Sequence, residues 1–268
     1  MKIDLRKGIG DFGSYEIVRF PDNTLKFKLK SHEYQYTDVF IVTSLHSNED
    51  IILLGLVIDF FEGIDEKVVV RIDYMMYQQD DRRFADNESF GLKFIARFLN
   101  SFKNIEKVMI FHPHSDKIEL IDKCQILSNT SFINQALTNI REDSYWVIPD
   151  SGAFKTQFKQ IEVLGWQNFI TCMKSRDHET REIKTVVNCK NLEGRDCFII
   201  DDICLGGRTF INIAEELRKK NCGKLYLIVS HGVFNNGIDH LIDYFDTIYT
   251  TDSICKLNES VNLKIYKL

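Results

Sequence analysis

The chain of 268 residues contains no hydrophobic run near the roughly 20 apolar residues that a membrane-spanning helix needs. Its start, Met1-Lys2-Ile3-Asp4-Leu5-Arg6, has no apolar signal core, which points to a cytoplasmic protein that meets no membrane. No low-complexity tract is present. The seven cysteines, at 124, 172, 189, 197, 204, 222 and 255, form no C-x-x-C pair and are odd in number. Several sit in apolar strands, so buried, reduced thiols in the cytosol are the simple reading. An excess of cations is missing too. With 34 Lys+Arg against 39 Asp+Glu, the net charge of -5 lacks the basic footprint of a nucleic-acid binder. Nucleotide binding needs only local cations and stays open. Hydrophobic residues at 44% and charged residues at 27% are ordinary for an α/β protein. The length suits one large domain or two of about 130 residues.

What is present is alternation. Strand-like runs at 15–20, 24–30, 39–44, 68–73, 107–111, 144–148, 168–173, 196–201, 224–230 and 247–250 alternate with helix-like runs at 48–61, 89–101, 132–140, 152–161, 209–220 and 237–244. This order predicts an α/β fold with mainly parallel sheets. The pattern runs twice, which divides the chain into 1–142 and 143–268. No Pro- or Ser-rich linker marks the division, so the halves are expected to pack closely.

The segment from Cys197 to Phe210 carries the clearest chemistry. An apolar strand runs into Asp201 and Asp202, then into Leu205-Gly206-Gly207-Arg208-Thr209, then into a helix. The glycines permit a tight turn and close backbone approach to an anion. The helix start offers unpaired N–H groups and a positive dipole end to a phosphate. The aspartates are placed to accept hydrogen bonds from ribose hydroxyls or to help hold Mg²⁺. Without the glycine loop, such an acidic pair would read as a capped turn after a buried strand. Together the parts predict a site for a phosphorylated sugar.

Other segments have a plain and a functional reading side by side. Pro149-Asp150-Ser151-Gly152 is a helix cap, or a cap whose glycine lets a phosphate approach. The charged run from Lys174 to Glu182 is a surface loop, or a lid of cations. His112, His114 and Asp116 are loop polar groups after a buried strand, or a site. Tyr74 to Arg83 is a solvated loop, or a polar binding segment. Arg19 to Thr24 is a hairpin turn, or a contact loop.

Taken in order, these segments resemble the ribose-phosphate diphosphokinase family over about residues 15–254. The Asp201–Thr209 loop is similar to that family's phosphoribosyl loop, which type I phosphoribosyltransferases share. Gln79, Asp80 and Arg82 are counterparts of its ATP loop, with Gln78 where the family has Arg. His114 matches the family's Asp-x-His, whereas His112 replaces the Asp, and imidazole suits Mg²⁺ poorly. Phe20 and Asp22 match the hairpin that reaches the adenine site of a neighbouring subunit, with Thr24 in place of Glu. Asp150 matches Pro-Asp-Ala-Gly, and Lys174 and Arg176 match a Lys-x-Arg pair that closes over the transferred phosphates. Ser230-His231-Gly232-Val233-Phe234 and Thr251-Asp252-Ser253-Ile254 resemble framework segments at the sheet mouth.

The resemblance implies two tandem type I phosphoribosyltransferase-like domains. The first, 1–142, would bind ATP through Phe20, Asp22, Gln78, Gln79, Asp80 and Arg82. The second, 143–268, would bind the sugar phosphate through Asp150, Asp201, Asp202, Gly206, Gly207, Arg208 and Thr209. Lys174, Arg176 and His114 would be catalytic, and His114 and Asp150 would contact Mg²⁺. The implied reaction passes the β,γ-diphosphate of ATP to the anomeric hydroxyl of a ribose 5-phosphate unit, releases AMP, and needs no covalent enzyme intermediate. The family also implies a homo-oligomer, a dimer or larger. Leu205 stands where the family loop has a third Asp, and Arg208 where it has Gly. Arg is a forked donor that suits more than one phosphate, so ADP-ribose joins ribose 5-phosphate as an expected acceptor. The short chain also resembles phage-encoded members that serve NAD salvage, some of which diphosphorylate ADP-ribose. The competing expectations are an inactive regulatory subunit, to which Thr24, Gln78, His112 and Leu205 point, and a phosphoribosyltransferase, which would account only for the second half.

Overall fold

The β-branched run Val68-Val69-Val70 favours extended chain, and it opens the middle strand of the first of two units in the computed structural model. The structure describes residues 1–30, 38–176 and 183–268. The units are Met1–Ser128 and Asn129–Leu268.

In Met1–Ser128 the strands are β1 (Lys2–Asp4), β2 (Gly10–Asp11), β3 (Tyr15–Arg19), β4 (Leu25–Leu29), β5 (Val39–Leu45), β6 (Val68–Met75), β7 (Ile105–Phe111) and β8 (Cys124–Leu127). Helices α1 (Asn48–Gly63) and α2 (Gly91–Asn100) connect them. Among the described residues, β1-β5-β6-β7-β8 form one sheet in that order, parallel at every pairing. The small sheet β2-β3-β4 is antiparallel. Strands β5 and β6 are buried almost continuously, as expected of a parallel sheet covered on both faces. Helix α1 starts at a capping box, in which Ser47 Oγ accepts from the Asp50 N–H and the Asp50 carboxylate accepts from the Ser47 N–H. Gly55 lets α2 approach: a Cβ there would lie 2.9 Å from the Phe98 ring.

In Asn129–Leu268 the elements are α3 (Thr130–Leu137), β9 (Tyr145–Ile148), α4 (Ser151–Leu164), β10 (Phe169–Arg176), β11 (Ile183–Val187), β12 (Cys197–Cys204), α5 (Arg208–Lys219), β13 (Leu225–Gly232), α6 (Asp239–Ile242), β14 (Thr247–Thr251) and β15 (Leu263–Tyr266). The sheet order is β11-β10-β9-β12-β13-β14-β15. All pairings are parallel except β10 with β11. Alternate residues of β12 enter different cores. Cys197 and Ile199 pack with Phe210, Ile213 and Leu217 of α5. Phe198 and Ile200 pack with Trp146, Ile148 and the residues of α3 and α4.

The sheet order has one feature that decides where a ligand fits. From β9 the chain proceeds outward through β10 and β11 on one side. From β12 it proceeds outward through β13, β14 and β15 on the other. The line between β9 and β12 is therefore a topological switch point, and ligands of open α/β sheets sit at the carboxyl ends of the strands there.

Several expectations need correction. The division falls between Ser128 and Asn129 rather than at 142/143. Helix α3 belongs to the second unit because Phe132, Ile133 and Ala136 pack with Trp146, Ile148 and Phe198. Strand β12 also runs past the acidic pair to Cys204, so Asp201 and Asp202 lie within extended chain. The short strands β1, β2, β8, β11 and β15 had not been expected, and α6 is four residues rather than the eight of 237–244.

Candidate active site

In the second unit, the expected sugar-phosphate residues gather at the switch point. Asp150 follows β9, and Asp201 and Asp202 occupy β12, which pairs directly with β9 through Ile199 and Val147. Asp150 caps α4, its Oδ1 accepting from the N–H groups of Gly152 at 3.0 Å and Ala153 at 3.1 Å. Burial, then the charges of Asp202 and more distantly Asp150, push the Asp201 carboxyl well above the ordinary carboxylate range. Both Asp201 and Asp202 remain half-exposed, so a ligand can reach them.

The glycine loop follows. Gly207 holds a φ of +76° and begins α5 with no side-chain acceptor on the first turn. The start of a 12-residue helix is thus left open, with the N–H groups and dipole end that favour an anion. The loop is secured from behind. The N–H groups of Val233 and Phe234 donate to the Cys204 carbonyl and that of Asn235 to Leu205. His240 Nε2 lies 3.0 Å from the Gly206 carbonyl. Leu241 packs so near Gly207 that a Cβ there would approach its Cδ2 to 2.5 Å. Arg208 is exposed and Thr209 half-buried.

Behind these groups lies a polar framework. Gln157, on α4 and 5% exposed, accepts from Trp146 Nε1 at 2.9 Å and donates from Nε2 to the Ile200 carbonyl at 2.7 Å. One turn on, Gln160 donates to Asn129 Oδ1 at 2.8 Å, and Asn129 Nδ2 donates to Ser230 Oγ at 3.1 Å. Buried His231 Nδ1 meets Ser253 Oγ at 2.8 Å. Gln157 had not been picked out. The signal for it was a glutamine four residues before Ile161, which places it on a core-facing side of a helix.

In the first unit, the two expected ATP segments are brought together. The Gln78 side-chain oxygen accepts from the His114 N–H at 3.0 Å. Ser115 Oγ donates to Asp81 Oδ2 at 2.6 Å, and Arg82 Nε donates to Asp81 Oδ1 at 2.8 Å. The Arg82 bond, with help from Ser115 and His114, holds the Asp81 carboxyl below its usual range despite some burial. Asp81 is a second residue that sequence reasoning missed, since nothing in the Asp-Asp-Arg-Arg run sets it apart from Asp80. Asp80 turns inward instead and accepts from the Gly91 N–H at 2.7 Å, at the start of α2. Gln79, Arg82 and His114 are exposed. Gln78 is 2% exposed, and its Nε2 has no hydrogen-bond partner among the described residues. His112 stands in the left-handed region at φ +37°, where a non-glycine residue is strained.

Phe20 and Asp22 form the tip between β3 and β4. Asp22 Oδ1 accepts from the N–H and hydroxyl of Thr24 at 3.0 and 2.7 Å, and Phe20 is 43% exposed. The turn is therefore a self-sufficient hairpin that still presents an aromatic ring outward. Lys174 and Arg176, expected in a loop, have their backbone in β10, paired with Thr185 and Ile183 of β11. The charged stretch at 177–182 lies outside the described residues.

Among the described residues no group of three or more His, Cys, Asp or Glu side chains is arranged to hold a metal ion. The donor chemistry near the switch point nevertheless fits Mg²⁺, which takes one or two carboxylates together with substrate phosphates and water. Repulsion between Asp201 and its acidic neighbours is what a divalent cation relieves. His114 belongs to the first unit and Asp150 to the second, and an imidazole is the poorer donor for Mg²⁺.

No family model matches the chain. A ribose-phosphate pyrophosphokinase of Thermococcus kodakarensis is 27% identical over 255 residues, which span 94% of this chain and 89% of that protein. One of Thermoplasma volcanium is 25% identical over 238 residues, 88% of this chain and 82% of its own. In fold, the chain is similar to a phosphoribosylpyrophosphate synthetase from Mycobacterium smegmatis, with a TM-score of 0.79 at 17% identity over 94% of this chain and 85% of that one.

Proposed function

We propose, from its membership of the ribose-phosphate pyrophosphokinase family, that this chain moves the β,γ-diphosphate of ATP to the anomeric hydroxyl of a ribose 5-phosphate unit and releases AMP. The observation that carries the reading is the switch point. Asp150, Asp201 and Asp202 flank it, and the open start of α5 lies beyond Gly207. Gly206, Gly207, Arg208 and Thr209 cradle the 5-phosphate, and Asp201 and Asp202 accept from the ribose hydroxyls. In the first domain, Gln79, Arg82 and His114 take the nucleotide, held in place by buried Gln78 beneath His114 and by Asp80 at the start of α2, with Phe20 and Asp22 reaching the adenine of a neighbouring copy in a homo-oligomer. Lys174 and Arg176 spread the negative charge that develops on the transferred group. Asp201 and Asp202, with Asp150, would hold Mg²⁺, which when bound would neutralise charge along the phosphate chain. The enzyme works in the cytoplasm.

Arg208 extends the choice of acceptor. It is exposed at the open start of α5, beside the 5-phosphate cradle, where a forked cation suits a second phosphate. ADP-ribose is accordingly a second acceptor alongside ribose 5-phosphate. The assay incubates the protein with ATP, Mg²⁺ and each acceptor, and follows AMP and the sugar product by mass spectrometry. AMP release stimulated by either sugar supports the reading. If neither stimulates it, the diphosphokinase activity is wrong and the inactive regulatory subunit takes its place.

A further inference from the structure

The pairing of β9 with β12 ends at Val147 and Ile199, at the switch point where ligands of open α/β sheets sit. Pro149, just beyond the end of β9, has no N–H to donate to β12. At this level the Ile200 carbonyl, one residue before Asp201, accepts instead from Gln157 Nε2 at 2.7 Å. The Gln157 oxygen also accepts from the Trp146 N–H on β9 at 2.9 Å. One buried amide therefore spans the switch point from α4. Its two bonds fix which end of the side chain is the donor and which the acceptor. The next turn of the helix repeats the arrangement indirectly, from Gln160 through Asn129 to Ser230 on β13.

We propose that Gln157 is a positioning residue for the acceptor site: by holding the Ile200 carbonyl it sets where Asp201 stands in the crevice between β9 and β12. The inference rests on the reading of that crevice as the sugar-phosphate site. A polar side chain in an otherwise apolar core costs stability unless it is fully bonded. Gln157 has a partner at each end of its amide, the Trp146 N–H on β9 and the Ile200 carbonyl on β12. An apolar residue would fill the same volume without fixing the strand end, so the glutamine's distinctive effect is on the placement of Asp201.

The test uses the full chain and three variants. Gln157→Glu retains the acceptor for Trp146 and loses the donor to Ile200. Gln157→Met loses both, and Trp146→Phe removes the ring N–H together with part of a fully buried indole, while leaving the Gln157 donor in place. Binding of ribose 5-phosphate is measured by titration calorimetry, with the KM for ATP and the thermal midpoint alongside. Both Gln157 variants should weaken ribose 5-phosphate on the order of tenfold, as for one lost hydrogen bond, and leave the KM for ATP unchanged. Trp146→Phe should lower the thermal midpoint yet keep sugar-phosphate affinity. Wild-type affinity in a folded Gln157 variant overturns the inference. So does a loss in Trp146→Phe that matches the Gln157 variants, because affinity would then merely track stability. The glutamate variant keeps the side-chain volume, so one folded Gln157 variant suffices. Wild-type protein that binds neither ribose 5-phosphate nor ADP-ribose overturns the acceptor-site reading itself, a result distinguishable from the other two.

Discussion

Gly207 and Leu241 are packed so that no side chain fits between them: a Cβ on Gly207 would stand 2.5 Å from Leu241 Cδ2. Gly207 also carries a φ of +76°, a region that costs a residue with a side chain roughly 1–2 kcal/mol. Gly207→Ala is therefore expected to lower the thermal midpoint and to raise the KM for the acceptor. Gly206 makes the internal comparison, since a Cβ there meets nothing nearer than Asn236 Nδ2 at 3.5 Å. Gly206→Ala should leave stability near wild type. Equal destabilisation by the two substitutions, measured by thermal denaturation, would contradict this account.

Lys174→Ala should cut turnover on the order of 10³-fold, as for cations that clamp a transferring phosphoryl group, with a smaller change in KM. Its backbone is in β10, paired with Thr185, so the fold should survive the change. Steady-state kinetics with ATP and ribose 5-phosphate provide the check, and unaltered turnover removes Lys174 from the mechanism.

Ser115→Ala removes the 2.6 Å bond to Asp81 that ties the 112–116 segment to the 74–83 loop. A hydrogen bond to a charged group contributes about 1.5–3 kcal/mol. Arg82 still holds the other Asp81 oxygen at 2.8 Å, so the loss should be partial. The KM for ATP is expected to rise while that for the acceptor stays put. A rise in the acceptor KM alone would place the nucleotide elsewhere.

The thiols give a pH prediction. Burial pushes Cys172 and Cys204 up to about 12, with smaller contributions from neighbours that include Cys189 for the first and Asp201 for the second. Cys197 is raised further by the same cause. An unfolded thiol ionises from about 8.5. Between there and about 12 the folded chain holds protons that the unfolded chain has released. Stability should therefore be unaffected by these groups below that window and fall as pH rises through it. At pH near 8, iodoacetamide should spare these cysteines in the folded protein and modify them in denaturant. Mass mapping of the labelled peptides reads the result, and rapid native labelling of Cys197 would refute its burial.

The long central strands were legible because they are buried on both faces. Runs such as those of β6, β12 and β13 are apolar and β-branched over enough length to admit no other assignment. The short edge strands were not, since three or four half-exposed residues at β1 or β8 carry almost no pattern. The apolar stripe of α3 foretold burial but not against which core, and that misplaced the boundary. Site residues that share a strand–loop–helix motif with a glycine pair, such as Asp201 and Asp202 ahead of Gly206 and Gly207, can be found from local order. Asp81 cannot, and the helix position of Gln157 foretells its burial but not its role, because their roles depend on partners 34 residues away, Ser115, and 43 residues away, Ile200. No reading of neighbours along a chain supplies such pairs.

The chain has only two tryptophans, and both lie in the second unit, where each indole N–H is engaged, Trp146 by Gln157 and Trp166 by the Ser144 carbonyl. Intrinsic indole emission therefore watches that half alone, while the other half is silent at wavelengths that spare tyrosine. Because Trp146 leans on the amide beneath Asp201, its fluorescence provides a label-free optical signal at the floor of the crevice, without any dye or engineered reporter.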